Sequence, residues 1–244
     1  MSAEFSLTKE RLDEYLALLA KQFSKLYKKK AEAEIILIGG ASVLANYDFR
    51  DASTDADALI YADASMKEAI NFVRDKFGLP DDWLNEDFKK TKSYTEKLRG
   101  VSVPYRTFSS VVHVRTVADK YLVAMKAMSG RQYKFDLSDI VGILWEHEKN
   151  GKPIDRGDVD KAFIELYGQQ KMPDVSRQVL DVVFRSKDYE RIYIETREKE
   201  KEAKEILVSF EQESPNVLNG DKLDSVIEQV RLRKMQNDSK IGDS

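Results

Sequence analysis

Helical and extended hydrophobic patterns alternate along the first 150 residues of the chain. An amphipathic helix is predicted before residue 28, where apolar side chains recur every three or four positions: Leu12, Tyr15, Leu16, Leu19, Phe23, Leu26 and Tyr27. Runs of consecutive or alternating apolar residues predict four strands, at 35–38, 57–61, 101–108 and 110–114. Further helical patterns lie between and after them, at 65–77, 117–128 and beyond Asp136. This alternation predicts an α/β (α+β) core with a mixed sheet.

The pattern becomes entirely helical after residue 150. Three helices are predicted there, at 155–167, 175–185 and 189–210. A last apolar stripe follows them, formed by Leu223, Val226, Ile227 and Val230. We therefore expect a first domain over residues 1–150, an all-helical C-terminal region over 151–235 and a disordered tail over 236–244.

Two glycines follow the first predicted strand directly. Gly39 and Gly40 allow a tight turn and let the backbone approach a ligand without a Cβ in the way. Ser42 adds a hydroxyl close to the start of the next predicted helix, where exposed N–H groups favour a phosphate. The segment is therefore interpreted as a phosphate-handling loop.

Two aspartates open the second predicted strand. Asp55 and Asp57 are two residues apart, so on a strand their side chains leave from one face. Like charges that close destabilise each other unless a cation intervenes, and Mg²⁺, or Mn²⁺ in its place, is the expected oxygen-liganded ion. A Gly-Gly pair or an Asp-x-Asp pair alone is often only structural. The two together, on consecutive strands, indicate a functional site.

This order of motifs resembles the polymerase-β-like nucleotidyltransferase superfamily. A hydrophobic strand, Gly39-Gly40, a helix and then Asp55-x-Asp57 match its pattern. The chain is most similar to the AbiEii-toxin and minimal-nucleotidyltransferase kind, through residues before the acidic pair and on a downstream helix: Arg50, Ser53, Thr54, Lys126, Arg131, Asp136 and Asp139. The resemblance covers about residues 30 to 150 and fades beyond.

The resemblance implies an Mg²⁺-dependent enzyme that moves a nucleoside monophosphate from a nucleoside triphosphate to a hydroxyl of RNA, such as tRNA, or of a protein. It also implies a toxin-antitoxin or phage-defence setting, with an antitoxin as a potential partner. The metal ligands would be Asp55 and Asp57. The catalytic residues would be Asp55, Asp57, Lys126, Asp136 and Asp139. The nucleotide-binding residues would be Gly39, Gly40, Ser42, Arg50, Thr54 and Arg131.

One feature of the superfamily is missing from the sequence. A third carboxylate normally comes from a later strand, but residues 109–115 contain no Asp or Glu, so His113 or a residue from elsewhere in the chain is the candidate substitute. The alternative function is therefore a catalytically weak or inactive nucleotide-binding or interaction module of the same fold. A metal-dependent phosphohydrolase would use the same acidic pair, but the Gly-Gly-x-Ser loop favours a nucleotidyltransferase over it.

Two of these site assignments also have a purely structural explanation. Lys126 lies on a mostly apolar predicted helix, where a long side chain often extends its ammonium group to the surface. Asp136 can cap the helix that follows it, with Asp139 in the electropositive first turn. Both explanations stay open at this point.

Composition limits the remaining possibilities. The chain has 244 residues, 42% of them hydrophobic, and a net charge of −3, which favours a folded protein without a general attraction to nucleic acid. It has no cysteine, which excludes disulfides, thiolate metal sites and cysteine nucleophiles. No apolar run approaches the roughly 20 residues of a membrane span, and no secretion signal is evident. We expect a cytoplasmic protein without a membrane partner; the pattern does not indicate its oligomeric state.

Overall fold

The computed structural model describes residues 5–26, 32–213, 223 and 225–230. The helices are α1 (Lys9–Leu26), α2 (Gly39–Asn46), α3 (Ser65–Phe77), α4 (Leu98–Val101), α5 (Asp119–Ser129), α6 (Asp136–Lys149), α7 (Arg156–Tyr167), α8 (Asp174–Ser186) and α9 (Tyr189–Glu213). The strands are β1 (Ala33–Leu37), β2 (Ala56–Tyr61), β3 (Leu84–Asn85), β4 (Val103–Phe108) and β5 (Val112–Thr116). The predicted α+β class and the helical C-terminal region are confirmed.

The five strands form one mixed sheet in the order β3-β2-β1-β5-β4. The central strand β1 runs antiparallel to β2 and parallel to β5. Where β1 ends, the Ile38 backbone N–H donates to the Asp57 carbonyl at 2.8 Å. This pairing places the glycines that follow β1 directly beside the start of β2, so the two predicted motifs meet at one end of the sheet.

The sheet is buried on both faces, as the apolar run of β1 predicts. Ile35 and Leu37 pack in the hydrophobic cluster that contains α1 and α3. Ile36 and Ile38 belong to the other cluster, together with side chains of α5 and α6. Asp57 alternates with the α1-side residues of β2, so its carboxylate leaves from the face that α5 and α6 cover.

The C-terminal helices share the core of the preceding region. Leu180 of α8 and Ile192 of α9 lie in the same hydrophobic cluster as the α5 and α6 side chains. The last apolar stripe packs on α9, where Ile227 is buried with Ala203 and Leu207. The predicted tail at 236–244 lies outside the described residues. None of the helices that the structure describes is long and apolar enough to span a membrane.

We predict that the sheet and the C-terminal helices unfold together. Leu180→Ala removes a fully buried side chain and should lower the free energy of unfolding by about 2–5 kcal/mol. The measurement is urea unfolding followed by the fluorescence of Trp83, which lies beside β3, in a Trp145→Phe background. Ile164→Ala, at a position that is 60% exposed, is the matched control and should change the midpoint little. If Leu180→Ala does not change the urea midpoint reported by Trp83 fluorescence, the shared core is contradicted.

Candidate active site

A cavity of about 490 Å³ opens where the start of β2, the glycine turn and α9 meet. Eight of the predicted site residues line it: Gly40, Arg50, Thr54, Asp55, Asp57, Lys126, Arg131 and Asp136. The other three predicted residues, Gly39, Ser42 and Asp139, are not part of its lining. The structure thus brings most of the predicted residues together at one place.

The two glycines of the turn are needed for different reasons. Gly39 has a φ of +55°, a left-handed conformation that side chains with a Cβ rarely adopt, and a Cβ there would lie 3.6 Å from Asp57 Oδ2. A Cβ on Gly40 would lie 2.8 Å from Ser53 Oγ and 2.9 Å from Arg50 Nη2, so a side chain there would displace these two groups. The two glycines therefore let the backbone lie close to Asp57 and let the Arg50 side chain lie close to Gly40.

Asp55 and Asp57 are both half-buried, and both line the cavity. Burial, and then the negative charge of Asp55, raise the pKa of Asp57 to about 6, while the charges of Lys134, Arg131 and Lys126 act in the opposite direction. The raised pKa means that the negative charge of the pair is incompletely balanced by the protein. A bound cation would supply that balance.

Lys126 also lines the cavity and is only 4% exposed. Its Nζ lies 2.8 Å from Asp136 Oδ1 and 2.9 Å from Asp139 Oδ2. Burial alone would lower the pKa of Lys126, but the charges of Asp136 and Asp139 outweigh it and raise the pKa. The ammonium group does not extend to the surface, so the snorkelling explanation is wrong. Lys126 is a buried cation held by two carboxylates.

Two arginines extend this cation network toward the cavity. Arg131 Nε lies 2.8 Å from Asp136 Oδ2, and Arg50 forms an ion pair with Asp139. Burial would raise the pKa of Asp136, but Lys126 and Arg131 lower it well below its usual range. With Arg197, which lies 3.8 Å from Asp139 Oδ1, four cations of the described chain share two carboxylates, and the charges of Lys126 and Arg131 also act on Asp57. Such a network is suited to phosphate oxygens.

Some predicted residues take other positions. Ser42 donates its hydroxyl to the Val117 carbonyl and is fully buried, so it ties α2 to the end of β5 rather than pointing into the cavity. Asp139 is also fully buried, so it acts on the cavity only through Lys126 and Arg50. The carboxylate of Asp136 is engaged by cations and does not cap α6.

His113 does not substitute for a third carboxylate. It lies on β5 beside Thr107, whose hydroxyl is 3.1 Å from its Nδ1, and it lines a different cavity. The residue that follows β5 and stands level with Asp57 across β1 is Val117, which is fully buried. Among the residues that the structure describes, no three carboxylate or imidazole side chains form a metal cluster.

Two carboxylates nevertheless suit Mg²⁺ or Mn²⁺. Magnesium usually keeps several waters and binds one or two protein carboxylates together with substrate phosphates. Asp55 and Asp57 offer hard oxygen ligands and carry a charge that the protein balances incompletely. The residues present fit a metal that arrives with a phosphate ligand better than one held permanently by the protein.

Sequence reasoning missed one wall of the cavity. Helix α9 contributes four lining residues: Lys204, Leu207, Val208 and Glu211. They belong to a charged segment that is typical of a solvated helix face. Phe5 and Tyr133 line the cavity as well. The apolar pair Leu207-Val208, late in that charged helix, was the signal in the sequence that it packs against something.

The fold and the site define an α+β protein with a cavity that is lined by a carboxylate pair and by a cation network. No family model, no curated protein and no solved structure matches the chain. The functional assignment therefore depends on the geometry of the cavity itself.

We predict that Asp57 titrates with a pKa of about 6 in the protein without metal. Because removing a neighbouring like charge favours the ionised form, Asp55→Asn should lower this pKa, but only in part, since burial is the larger cause. The measurement is an NMR titration of the side-chain carboxyl carbons. An Asp57 pKa that is not raised above its usual value and does not change in Asp55→Asn would contradict the described electrostatics.

Proposed function

We propose that the protein is an Mg²⁺-dependent nucleotidyltransferase that moves a nucleoside monophosphate from a nucleoside triphosphate to a hydroxyl of RNA, such as tRNA, or of a protein. One observation supports this most: a carboxylate pair, a glycine turn and a cation network line a single cavity. A metal-bound triphosphate carries both signs of charge, and this cavity presents a complement to each.

The carboxylates and the cations of the cavity would bind different parts of a metal-bound triphosphate. Asp55 and Asp57 would hold the metal, which would offset phosphate charge and orient the phosphate oxygens. Lys126 and Arg131 line the same cavity and would attract the triphosphate. Gly40 has no side chain to keep phosphate oxygens from the backbone. Arg50, fixed by Asp139, adds a further cation at the turn.

The chain's own residues contribute positioning and charge stabilisation to the transfer. The acceptor oxygen forms a bond to the α-phosphorus, the bond to the bridging oxygen of the β-phosphate breaks, pyrophosphate leaves, and the hydroxyl proton passes to water. Negative charge develops on the departing phosphates, where Lys126 and Arg131 would stabilise it. Asp136 would keep both cations in place.

The acceptor and the biological setting rest on the sequence resemblance. That resemblance favours an RNA or protein hydroxyl, a toxin-antitoxin or phage-defence role and an antitoxin partner. The proposed cytoplasmic location rests instead on the cysteine-free composition. The cation network fits the triphosphate and does not distinguish between the acceptors. Both acceptor classes therefore belong in the test.

A nucleotide-binding module without transfer activity is the second candidate. It is favoured by Val117, an apolar residue level with Asp57 where a third carboxylate would face the pair. The later aspartates, Asp136 and Asp139, are also engaged in ion pairs. Such a module would use the same cavity and differ only in turnover.

We predict that the protein labels a macromolecule when it is incubated with Mg²⁺, each α-labelled nucleoside triphosphate and cell extract. Asp55→Asn combined with Asp57→Asn should reduce the labelling at least about 100-fold, because metal and phosphate positioning are lost together. The measurement is separation of labelled RNA from labelled protein after incubation.

The matched control is Asp81→Asn with Asp82→Asn, a pair of exposed aspartates outside the cavity. It should leave the labelling unchanged. Nucleotide binding without label would favour the binding module. Labelling or binding that survives in the folded Asp55/Asp57 double variant would contradict the site itself.

A further inference from the structure

Helix α6 is capped by a side chain that comes from helix α9. Glu200 is 2% exposed, and its Oε1 accepts the Leu137 backbone N–H at 2.8 Å. Its Oε2 accepts the Ser138 N–H at 3.2 Å. These amides lie in the first turn of a 14-residue helix, where no partner within the helix is available. Glu200 thus takes the capping role that the sequence predicts for Asp136.

This position is an unfavourable one for a carboxylate. Burial raises the pKa of Glu200 to about 7, hydrogen bonds from the Ser138 side chain and the Leu137 N–H oppose this, and the charges of Asp139 and Asp136 add to the increase. A buried charge that only filled space would be replaced by an apolar side chain at lower cost. The interaction is therefore best explained by what it holds together.

The two helices joined by Glu200 both build the candidate active site. On α9, the residues that follow Glu200 line the cavity, beginning with Lys204 and Leu207. On α6, the capped first turn carries Asp136 and Asp139, which hold Lys126. Fixing one helix against the other therefore fixes the α9 wall relative to the cation network.

An arginine one turn earlier on α9 strengthens the same contact. The Arg197 guanidinium lies 3.5 Å from the centre of the Phe135 ring, directly before α6. Its Nη1 is 3.8 Å from Asp139 Oδ1, a buried oxygen without a hydrogen-bond partner among the described residues. Arg197 and Glu200 therefore meet the start of α6 from one side of α9.

We propose that Glu200 is a positioning residue that docks α9 on the start of α6 and thereby sets the shape and charge of the candidate site. The docking itself is independent of the ligand. The consequence for nucleotide binding rests on the proposed function, because it requires that the cavity bind a nucleoside triphosphate.

The test compares Glu200→Ala, Glu200→Gln and Glu198→Ala, the last at an exposed position on the same helix. Hydrogen exchange of the Leu137 and Ser138 amides measures docking. Calorimetric titration with the Mg²⁺ complexes of the four nucleoside triphosphates measures the site. Exchange needs no ligand, so it separates a failure of this inference from a failure of the proposed function.

Glu200→Ala should speed exchange of both amides and weaken nucleotide binding, each at least about tenfold, because each buried amide loses its hydrogen-bond acceptor. Gln offers one acceptor oxygen, so Glu200→Gln should release one amide and keep the affinity within about threefold. Glu198→Ala should match the wild type in both measurements.

Several results would overturn the inference. Glu200 does not hold the start of α6 if both amides exchange rapidly in the wild type. The same conclusion follows if both amides stay protected from exchange in Glu200→Gln. The second criterion applies even if Glu200→Ala fails to fold. Wild-type affinity in a folded Glu200→Ala would refute the link to the site. A wild type that binds none of the four complexes would refute the proposed function and the nucleotide part of this inference, and exchange would still decide the docking.

Discussion

The ion pairs of Lys126 with Asp136 and Asp139 are the constraint on which the rest of the site depends. Burying three charged groups is costly, and removing one partner of such a cluster leaves an uncompensated charge. The pairs fix α5 against the first turn of α6. Arg131 and Arg50 are held by the same two carboxylates. One cluster therefore sets both the packing of these helices and the direction from which positive charge faces the cavity.

The site combines a carboxylate pair with cations that two other carboxylates hold in place. Burial and the negative charge of Asp55 raise the pKa of Asp57, although the charges of Lys134, Arg131 and Lys126 lower it. The cavity therefore offers acidic oxygens for a metal and cationic groups for phosphates, which is the basis of the proposed nucleotidyl transfer.

Local patterns predicted the parts of this site that lie close together in the sequence. The apolar run of β1, the left-handed conformation of Gly39 and the position of Asp57 on β2 depend on neighbouring residues, and the structure has each of them, with Asp55 directly before the strand. Contacts between distant segments were not predictable in this way. Glu200 reaches an amide 63 residues away, and Ser42 donates to a carbonyl 75 residues away. Local sequence propensities do not predict such contacts, because they are determined by tertiary packing.

The central claim is that the acidic pair and the cation network bind a metal and a triphosphate together. Paramagnetic broadening of backbone amide signals by Mn²⁺, with and without a nucleoside triphosphate, tests it most directly. The account predicts strong broadening of the Gly39, Gly40 and Asp57 amides that requires both Mn²⁺ and nucleotide and is lost in Asp55→Asn/Asp57→Asn. Broadening confined to other parts of the chain, or unchanged by that double substitution, would contradict the account.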